Sequence, residues 1–489
     1  MLPYASMITI NKESKMPVFI QITNGVIKQI LRGRIKPGLK LPGSRQMASQ
    51  LNVHRNTVIK SYEELESQGW ITAVPAKGNF INETLPKVEL ANKENVINTN
   101  KLEKSRFDFN TDNTLHNLGI LRSKNYDLHF DDGCPDIRIA PIKEFSRHYK
   151  SLLNSKSKHK FDYSWNLSGH QNLKTNLLKF LSETRGINVN PENLLITRGS
   201  LMGFYLLFKN LIQPNDNVIV AKLNYQPVNQ IIKDFKGNLI EVDIDENGID
   251  VEQIEQICKK KTIRAVYVIS HHHHPTTVSL SCARRMKLLI LAKEHNFAIV
   301  EDDYDFDFHY KNSPILPLMS SDENGSVVYA GSFSKSLAPA FRIGYLVAPK
   351  NVIDSLTYSR RFIDRQGDML TEQALAMMIE EGELKRHLRK ALITYKNRRD
   401  FLCDALNTQL KDAVSFKIPD GGLTVWTQFD KSIDLESLVV NAEKKGLFMV
   451  DPKVYNPKDE DIHSTRLGFA SMNESELEQS VNILKTIIT

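Results

Sequence analysis

Two groups of residues have types and spacing that could do chemistry. The first is centred on Lys335, in the segment GSFSKSLAPAFRIGYL that follows the apolar run VVYA, with Ser332 three residues before it and Arg342 seven after it. A lysine amine is a nucleophile toward carbonyl compounds when its surroundings support that role, and an arginine fork suits a bidentate anion. A lone lysine after a strand is an ordinary surface residue, so the flanking serine and arginine carry the weight. The second group is basic: from Lys28 to Lys60 there are eight Lys or Arg residues and no Asp or Glu. Such a local excess can hold a polyanion, or it can be a solvated face, and charge alone does not decide.

The elements that must position these residues are legible from periodicity. Residues 17–33 carry Val18, Ile22, Val26, Ile27 and Ile30 at helical spacing, closed by Gly33 and the Pro37-Gly38 turn. A second helix is expected from Ser44, acting as cap, to Leu51, and a third from about His54 to Gln68, stopped by Gly69. Two short β-branched and aromatic stretches follow, Trp70–Val74 and Asn79–Asn82, joined by Pro75-Ala76-Lys77-Gly78. Helix, helix, turn, helix and hairpin make a winged helix-turn-helix plan over residues 14–82. Residues 83–125 lose periodicity and read as an interdomain linker. From residue 126 to the end, helical patterns alternate with the apolar runs Leu194–Thr197, Asn217–Ala221, Ala265–Ser270, Ala298–Val300, Val327–Ala330 and Gly344–Ala348. That alternation predicts an α/β domain with a mostly parallel sheet. The fold class is therefore multidomain: a mainly α winged helix followed by an α/β domain.

The stretch PGLKLPGSRQMASQLNVHRNTVIKSYEELESQGWITAVPAKGNFI resembles the GntR family of winged-helix regulators nearly end to end. In this type of docking the head of the third helix faces base edges, which points to Arg55, Asn56 and Thr57. Ser44 and Arg45 begin the second helix, where backbone N–H groups and the dipole favour a phosphate. Lys60 lies one turn on, toward the backbone, and Lys77 with Gly78 forms the wing tip. Double-stranded DNA is the expected partner. A winged helix that only docks protein would not require Arg, Asn and Thr at that helix head.

The Lys335 segment belongs to a set that resembles fold-type-I pyridoxal-phosphate (PLP) enzymes. The resemblance implies that Lys335 condenses with the cofactor aldehyde as a Schiff base and that Ser332 and Arg342 grip the phosphate. Thirty-three residues upstream, the run FAIVE ends in Asp302, Asp303 and Tyr304. The resemblance gives Asp302 the task of keeping the pyridine nitrogen protonated and places Tyr304 on the ring oxygen. Asp303, Asp305 and Asp307 are expected to be solvated charges. ITRGSLMGF puts Gly199, Ser200 and Leu201 at a strand-to-helix turn, a backbone phosphate nest. VIVAKLNYQP puts Tyr225 where the family stacks an aromatic ring, and STRLGFA matches the segment whose arginine, here Arg466, clamps a substrate or effector carboxylate. His271–His274, in VISHHHHPTTVSL, is expected to line the cleft beside the ring, His274 among the cofactor contacts. A metal site is not expected there, because no companion ligands converge on it. Two departures stand out. His274-Pro275-Thr276-Thr277 replaces the Asn-Pro-x-Gly of aminotransferases, and Pro227 stands where some regulators of this type carry an effector-binding arginine.

A GntR-like domain joined to an aminotransferase-like domain is similar to the MocR/GabR regulators. The resemblance implies a transcription regulator that forms a head-to-tail homodimer and senses PLP or its adduct with an amino compound at Lys335. A working aminotransferase with an accessory winged helix is the competing reading. At 489 residues, 41% hydrophobic and 25% charged with a net charge of +7, the chain has the balance of a globular protein of more than one domain. No apolar run is long enough to span a bilayer, and the N-terminus has no signal-peptide pattern. Cys134, Cys258, Cys282 and Cys403 form no CxxC pair, which fits a reducing cytoplasm.

Overall fold

The computed structural model describes residues 3–85, 126–156, 161–163, 166–311, 313–455 and 462–488. The chain divides into two units, Met1–Thr111 and Asp112–Thr489. Nearly all of the expected linker, from residue 86 to 125, lies outside the described residues.

In the first unit, helices α1 (Tyr4–Met7), α2 (Val18–Leu31), α3 (Ser44–Leu51) and α4 (Arg55–Ser67) precede an antiparallel hairpin of β1 (Ile71–Val74) and β2 (Gly78–Ile81). The apolar faces of α2 and α4 meet through Ile22, Val26, Val58, Tyr62 and Leu65, all buried, and the core reaches back to Tyr4 and Ile8, before residue 14. Tyr62 settles its polar end by donating to the carbonyl of Pro42 at 2.7 Å. Ser44 is the first helical residue of α3 and not its cap; Gly43 holds the cap position without a side chain to contribute. At the head of α4 the cap is His54, whose Nδ1 accepts from the amide of Asn56 at 3.3 Å.

The second unit is built on a seven-stranded sheet. Its strands are β4 (Leu194–Thr197), β5 (Asn217–Ala221), β6 (Asn238–Val242), β9 (Ala265–Val268), β10 (Ala298–Asp303), β11 (Val327–Ser332) and β12 (Gly344–Val347). A small pair, β7 (Ile244–Asp245) and β8 (Gly248–Ile249), lies between β6 and β9 in sequence. The spatial order is β4-β12-β11-β10-β9-β5-β6, with only β12 antiparallel to its neighbours. Successive side chains go to opposite faces: Val218 and Val220 join one core and Ile219 and Ala221 another. Both faces being covered, β4, β9 and β12 are buried at every position, hence their unbroken apolar runs. β6 escapes sequence reading because it is the half-exposed edge strand NLIEV, with a mixed pattern.

A second sheet joins β13 (Val414–Phe416), β14 (Thr424–Phe429) and β16 (Ser464–Gly468), and β3 (Leu128–Phe130) pairs in parallel with β15 (Leu447–Met449). No described helix is long and apolar enough to cross a membrane.

Candidate functional site

Parallel strands put all their carboxyl ends on one side, and open α/β sheets bind ligands there. The turn Gly199-Ser200 follows β4, Tyr225 follows β5, His274 follows β9, Asp302 is the penultimate residue of β10 and Ser332 ends β11. They converge on a cavity of about 350 Å³ lined by Asp132, Cys134, Ser200, Leu201, Tyr225, Ile269, His274, Asp302, Tyr304, Ser332, Ser334, Lys335, Pro339 and Arg342. The volume suits a small ligand.

Lys335 is half-buried, and its Nζ donates to the carbonyl of Gly133 at 2.6 Å. Asp302 is buried; its Oδ2 accepts from the Tyr267 hydroxyl at 2.7 Å, while Oδ1 is sealed from solvent with no hydrogen-bond partner. Burial, with the like charges of Asp303 and Asp305, pushes its pKa up to about 7 despite the Tyr267 bond. Tyr304 donates to the carbonyl of His272 at 2.9 Å. Tyr225 meets His274 edge-on, with ring centroids 5.4 Å apart, and burial raises its hydroxyl pKa to about 12.

At the opposite end of the cavity, Ser332 Oγ accepts from the amide of Ser334 at 3.1 Å, and Arg342 donates from Nη2 to the carbonyl of Arg198 at 3.2 Å. This arrangement requires glycine at two positions. Gly199 has φ +80°, and a Cβ there would sit 2.6 Å from Arg342 Nη2. A Cβ on Gly344 would meet the Gly199 carbonyl carbon at 2.6 Å, so β12 approaches the turn only without a side chain. The helix Ser200–Leu211 starts at that turn, presenting its free amides.

Arg466 lies outside the cavity wall, 2% exposed, in β16. Its Nε donates to Thr424 Oγ1 at 2.9 Å and stands 3.2 Å from Asp132 Oδ1. Asp132, in the turn after β3, also accepts from His274 Nε2 at 2.8 Å and from the Tyr455 hydroxyl at 3.1 Å. Burial opposes its charge, but His274, Arg466 and Lys335 together hold its carboxyl below the usual carboxylate range.

Two expectations are corrected. Asp303, Asp305 and Asp307 are not solvated: Asp303 pairs with His271 at 3.2 Å and accepts from Tyr329, Asp305 pairs with His272 at 2.9 Å, and Asp307 with Arg185 at 3.0 Å. The histidine tract does not line the cleft as a whole. His271 and His272 serve those aspartates, His273 bonds Thr276 at 3.0 Å, and only His274 reaches the cavity. Sequence reading also missed Tyr267, Asp132, Cys134 and Ser334. Only a tyrosine within the aliphatic run AVYVIS and two acids before a glycine turn signalled any of them.

In the first unit two of the expected DNA contacts meet directly. Arg55 Nε donates to Ser44 Oγ at 3.3 Å, which joins the heads of α4 and α3. Arg45, Arg55, Asn56, Lys60, Lys77 and Gly78 are exposed, and Ser44 and Thr57 half-buried. Lys40, one of the eight basic residues of the Lys28–Lys60 stretch but not among the expected DNA contacts, lies beside the wing, its Nζ 6.0 Å from the Phe80 ring centroid.

What the cavity offers is an amine, a sealed carboxylate whose free oxygen has no partner, an aromatic ring, and an anion end of hydroxyls, helix amides and an arginine. The set fits PLP: the unpartnered Asp302 Oδ1 is the acceptor that a protonated ring nitrogen needs, and Arg342 with the first amides of the Ser200–Leu211 helix suits a phosphate.

Residues 139–484 match the family model described as aminotransferase class I and II, and residues 21–81 match the model described as bacterial regulatory proteins, gntR family. Over 453 residues the chain is 27% identical to HTH-type transcriptional regulator NorG of Staphylococcus aureus (strain USA300), covering 92% of this chain and 99% of that protein. It is 25% identical over 486 residues to the uncharacterized HTH-type transcriptional regulator YdeL of Bacillus subtilis (strain 168), covering 97% of this chain and 98% of that protein. Among solved structures, the multiple substrate aminotransferase from Thermococcus profundus superposes with a TM-score of 0.70 at 25% identity, over 78% of this chain and 95% of that one. The chain thus belongs to the class I and II aminotransferase family, with a gntR-type helix-turn-helix domain ahead of the aminotransferase domain in the same polypeptide.

Proposed function

We propose that the protein is a DNA-binding transcription regulator that carries PLP at Lys335 and reads an amino compound there. One observation carries the reading: the similarity to NorG runs through both units and nearly the whole of each chain, which an aminotransferase without the helix-turn-helix domain cannot match. Arg55, Asn56 and Thr57 take base edges, while Ser44, Arg45, Lys60, Lys77 and Gly78 take the phosphate backbone.

When bound, PLP supplies an electrophilic carbon for amines and an electron-withdrawing ring. Lys335 is the covalent anchor. The bond from its Nζ to the Gly133 carbonyl ties the side chain to the turn that carries Asp132. Asp302 would hold the ring proton, Tyr225 would pack on the ring, and Tyr304 would contact the ring oxygen. Gly199, Ser200, Leu201, Ser332 and Arg342 hold the phosphate. The protein acts as a homodimer in a head-to-tail arrangement. Regulation requires that its DNA-binding states differ in affinity for the ligand adduct, since a ligand with equal affinity for both shifts nothing.

A second reading, an active aminotransferase, is favoured by the completeness of the Lys335–Asp302 cavity. Turnover separates the two. Enzymes of ordinary efficiency turn over at about 1–1,000 per second. Transamination of physiological amino donors with a keto acid is expected to fall orders of magnitude below that, while the protein selectively retains fragments of its own genome. A rate inside that range, with no selective DNA retention, would establish the enzyme.

A further inference from the structure

We infer that Tyr267, which stands behind the cavity wall, is a positioning residue for the cofactor: it orients the Asp302 carboxylate and stabilises the charged form that receives the ring proton. The inference rests on the PLP binding proposed above and adds to it a residue that lines no part of the cavity.

The sheet register brings the two residues together. Tyr267 in β9 pairs with Val300 in β10, and Asp302, two residues beyond Val300, is on the same face. The Tyr267 hydroxyl donates to Asp302 Oδ2 at 2.7 Å, and both residues are buried. Burial beside this carboxylate pushes the phenol pKa well above its ordinary value, so the hydroxyl stays a donor. With Oδ2 engaged, the acceptor left for a ring N–H is Oδ1, which is sealed from solvent and has no partner. Tyr267 is itself braced: its ring meets that of Phe204 edge-on, with centroids 5.7 Å apart and planes at 88°. Phe204 lies in the helix Ser200–Leu211, one turn on from Ser200 in the cavity wall. One packed chain of residues therefore runs from the helix at the anion end to the ring-nitrogen acceptor.

The bond gains strength when the site is loaded. Without cofactor Asp302 titrates at about 7, so at pH 6 Tyr267 donates mostly to a neutral carboxyl. Holding a ring proton requires the carboxylate, and a hydrogen bond to an ionised group is roughly twice as strong as a neutral one. The difference goes into cofactor affinity. The other charged and titratable groups about Asp302 are Asp303 and Asp305 on its own segment, the phenols of Tyr225 and Tyr304, and His274, Lys335 and Arg342 in the cavity. They are common to the parent and to a Tyr267 variant, so they cancel when the two are compared.

The test compares binding of PLP and of 1-deaza-PLP, in which carbon replaces the ring nitrogen, to the full-length parent and to Tyr267→Phe at pH 6. Phenylalanine keeps the ring against Phe204 and removes the donor. PLP is expected to bind Tyr267→Phe about tenfold more weakly than it binds the parent, and 1-deaza-PLP to bind both within about twofold. Equal losses for the two ligands would mean that Tyr267 only packs, and no loss for either would mean that its bond is idle; each overturns the inference. If Tyr267→Phe does not fold, 3-fluorotyrosine at position 267, a stronger donor of nearly the same shape, decides. It is expected to raise PLP affinity relative to that of 1-deaza-PLP, and an unchanged ratio overturns the inference. A parent that binds neither ligand, or in which borohydride fixes PLP on a lysine other than Lys335, overturns the PLP reading itself and this inference with it.

Discussion

Asp302 is buried with one oxygen unbonded, and its pKa rises from 3.8 to about 7. Between those values the folded chain keeps a proton that the unfolded chain has released. Stability therefore falls as pH rises through that window and is flat above it. In cofactor-free protein, Asp302→Asn is expected to be more stable than the parent at pH 8 by about 1–3 kcal/mol, with the gap closing toward pH 4. The same substitution should weaken PLP binding, because a neutral amide does not hold a ring proton. Denaturant unfolding across pH and a cofactor titration check both parts, and a pH-independent difference would contradict the first. At this scale the local motifs were legible: Lys335, Ser332 and Arg342 lie within one segment, as do Asp302 and Tyr304. Tyr267 and Asp132 were not legible, because their roles come from contacts 35 and 142 residues away in sequence, to Asp302 and His274.

Elements decide how those residues meet. The parallel register sets Val268 beside Glu301, which carries the segments after β9 and β10 forward together and brings His271 to Asp303 and His272 to Asp305. The sequence marks both strands but not that they are neighbours, so a buried ion-pair array reads as a histidine tract and an acidic loop. The Gly199 turn gives a second prediction. Gly199→Ala forces a Cβ within 2.6 Å of Arg342 Nη2 at a positive φ, so it should cost about 1–3 kcal/mol of stability and displace Arg342 from the anion end. PLP affinity should fall more than that of its phosphate-free analogue pyridoxal, as a binding titration would show; equal losses would contradict the assignment. In the winged helix, Arg55→Ala should weaken operator binding by about 1–3 kcal/mol and relax preference at one base pair. Lys60→Ala and Lys77→Ala should weaken all sequences alike and lower the salt slope by about one. Identical effects of all three on operator and random DNA would contradict the division into base and backbone contacts.

For the whole molecule, the two units matter through linkage. The plan of a helix-turn-helix followed by an α/β domain was legible, because α2, α4 and the central strands bury faces whose periodicity survives in sequence. The edge strand β6 was not, because a half-exposed strand leaves a mixed pattern, and the small sheet that holds Arg466 was not, because β16 buries the polar Ser464, Thr465 and Arg466 where an apolar run would be sought. If Lys335 is where the ligand is read, its state must alter DNA affinity, and an amine must act only through it. The most direct measurement is operator affinity of the PLP-loaded protein with and without a responsive amine, repeated on Lys335→Ala loaded non-covalently with PLP. A ligand-dependent change of about 5–150-fold is expected in the parent and none in Lys335→Ala. An unchanged affinity in the parent, or the same change in both proteins, would contradict it.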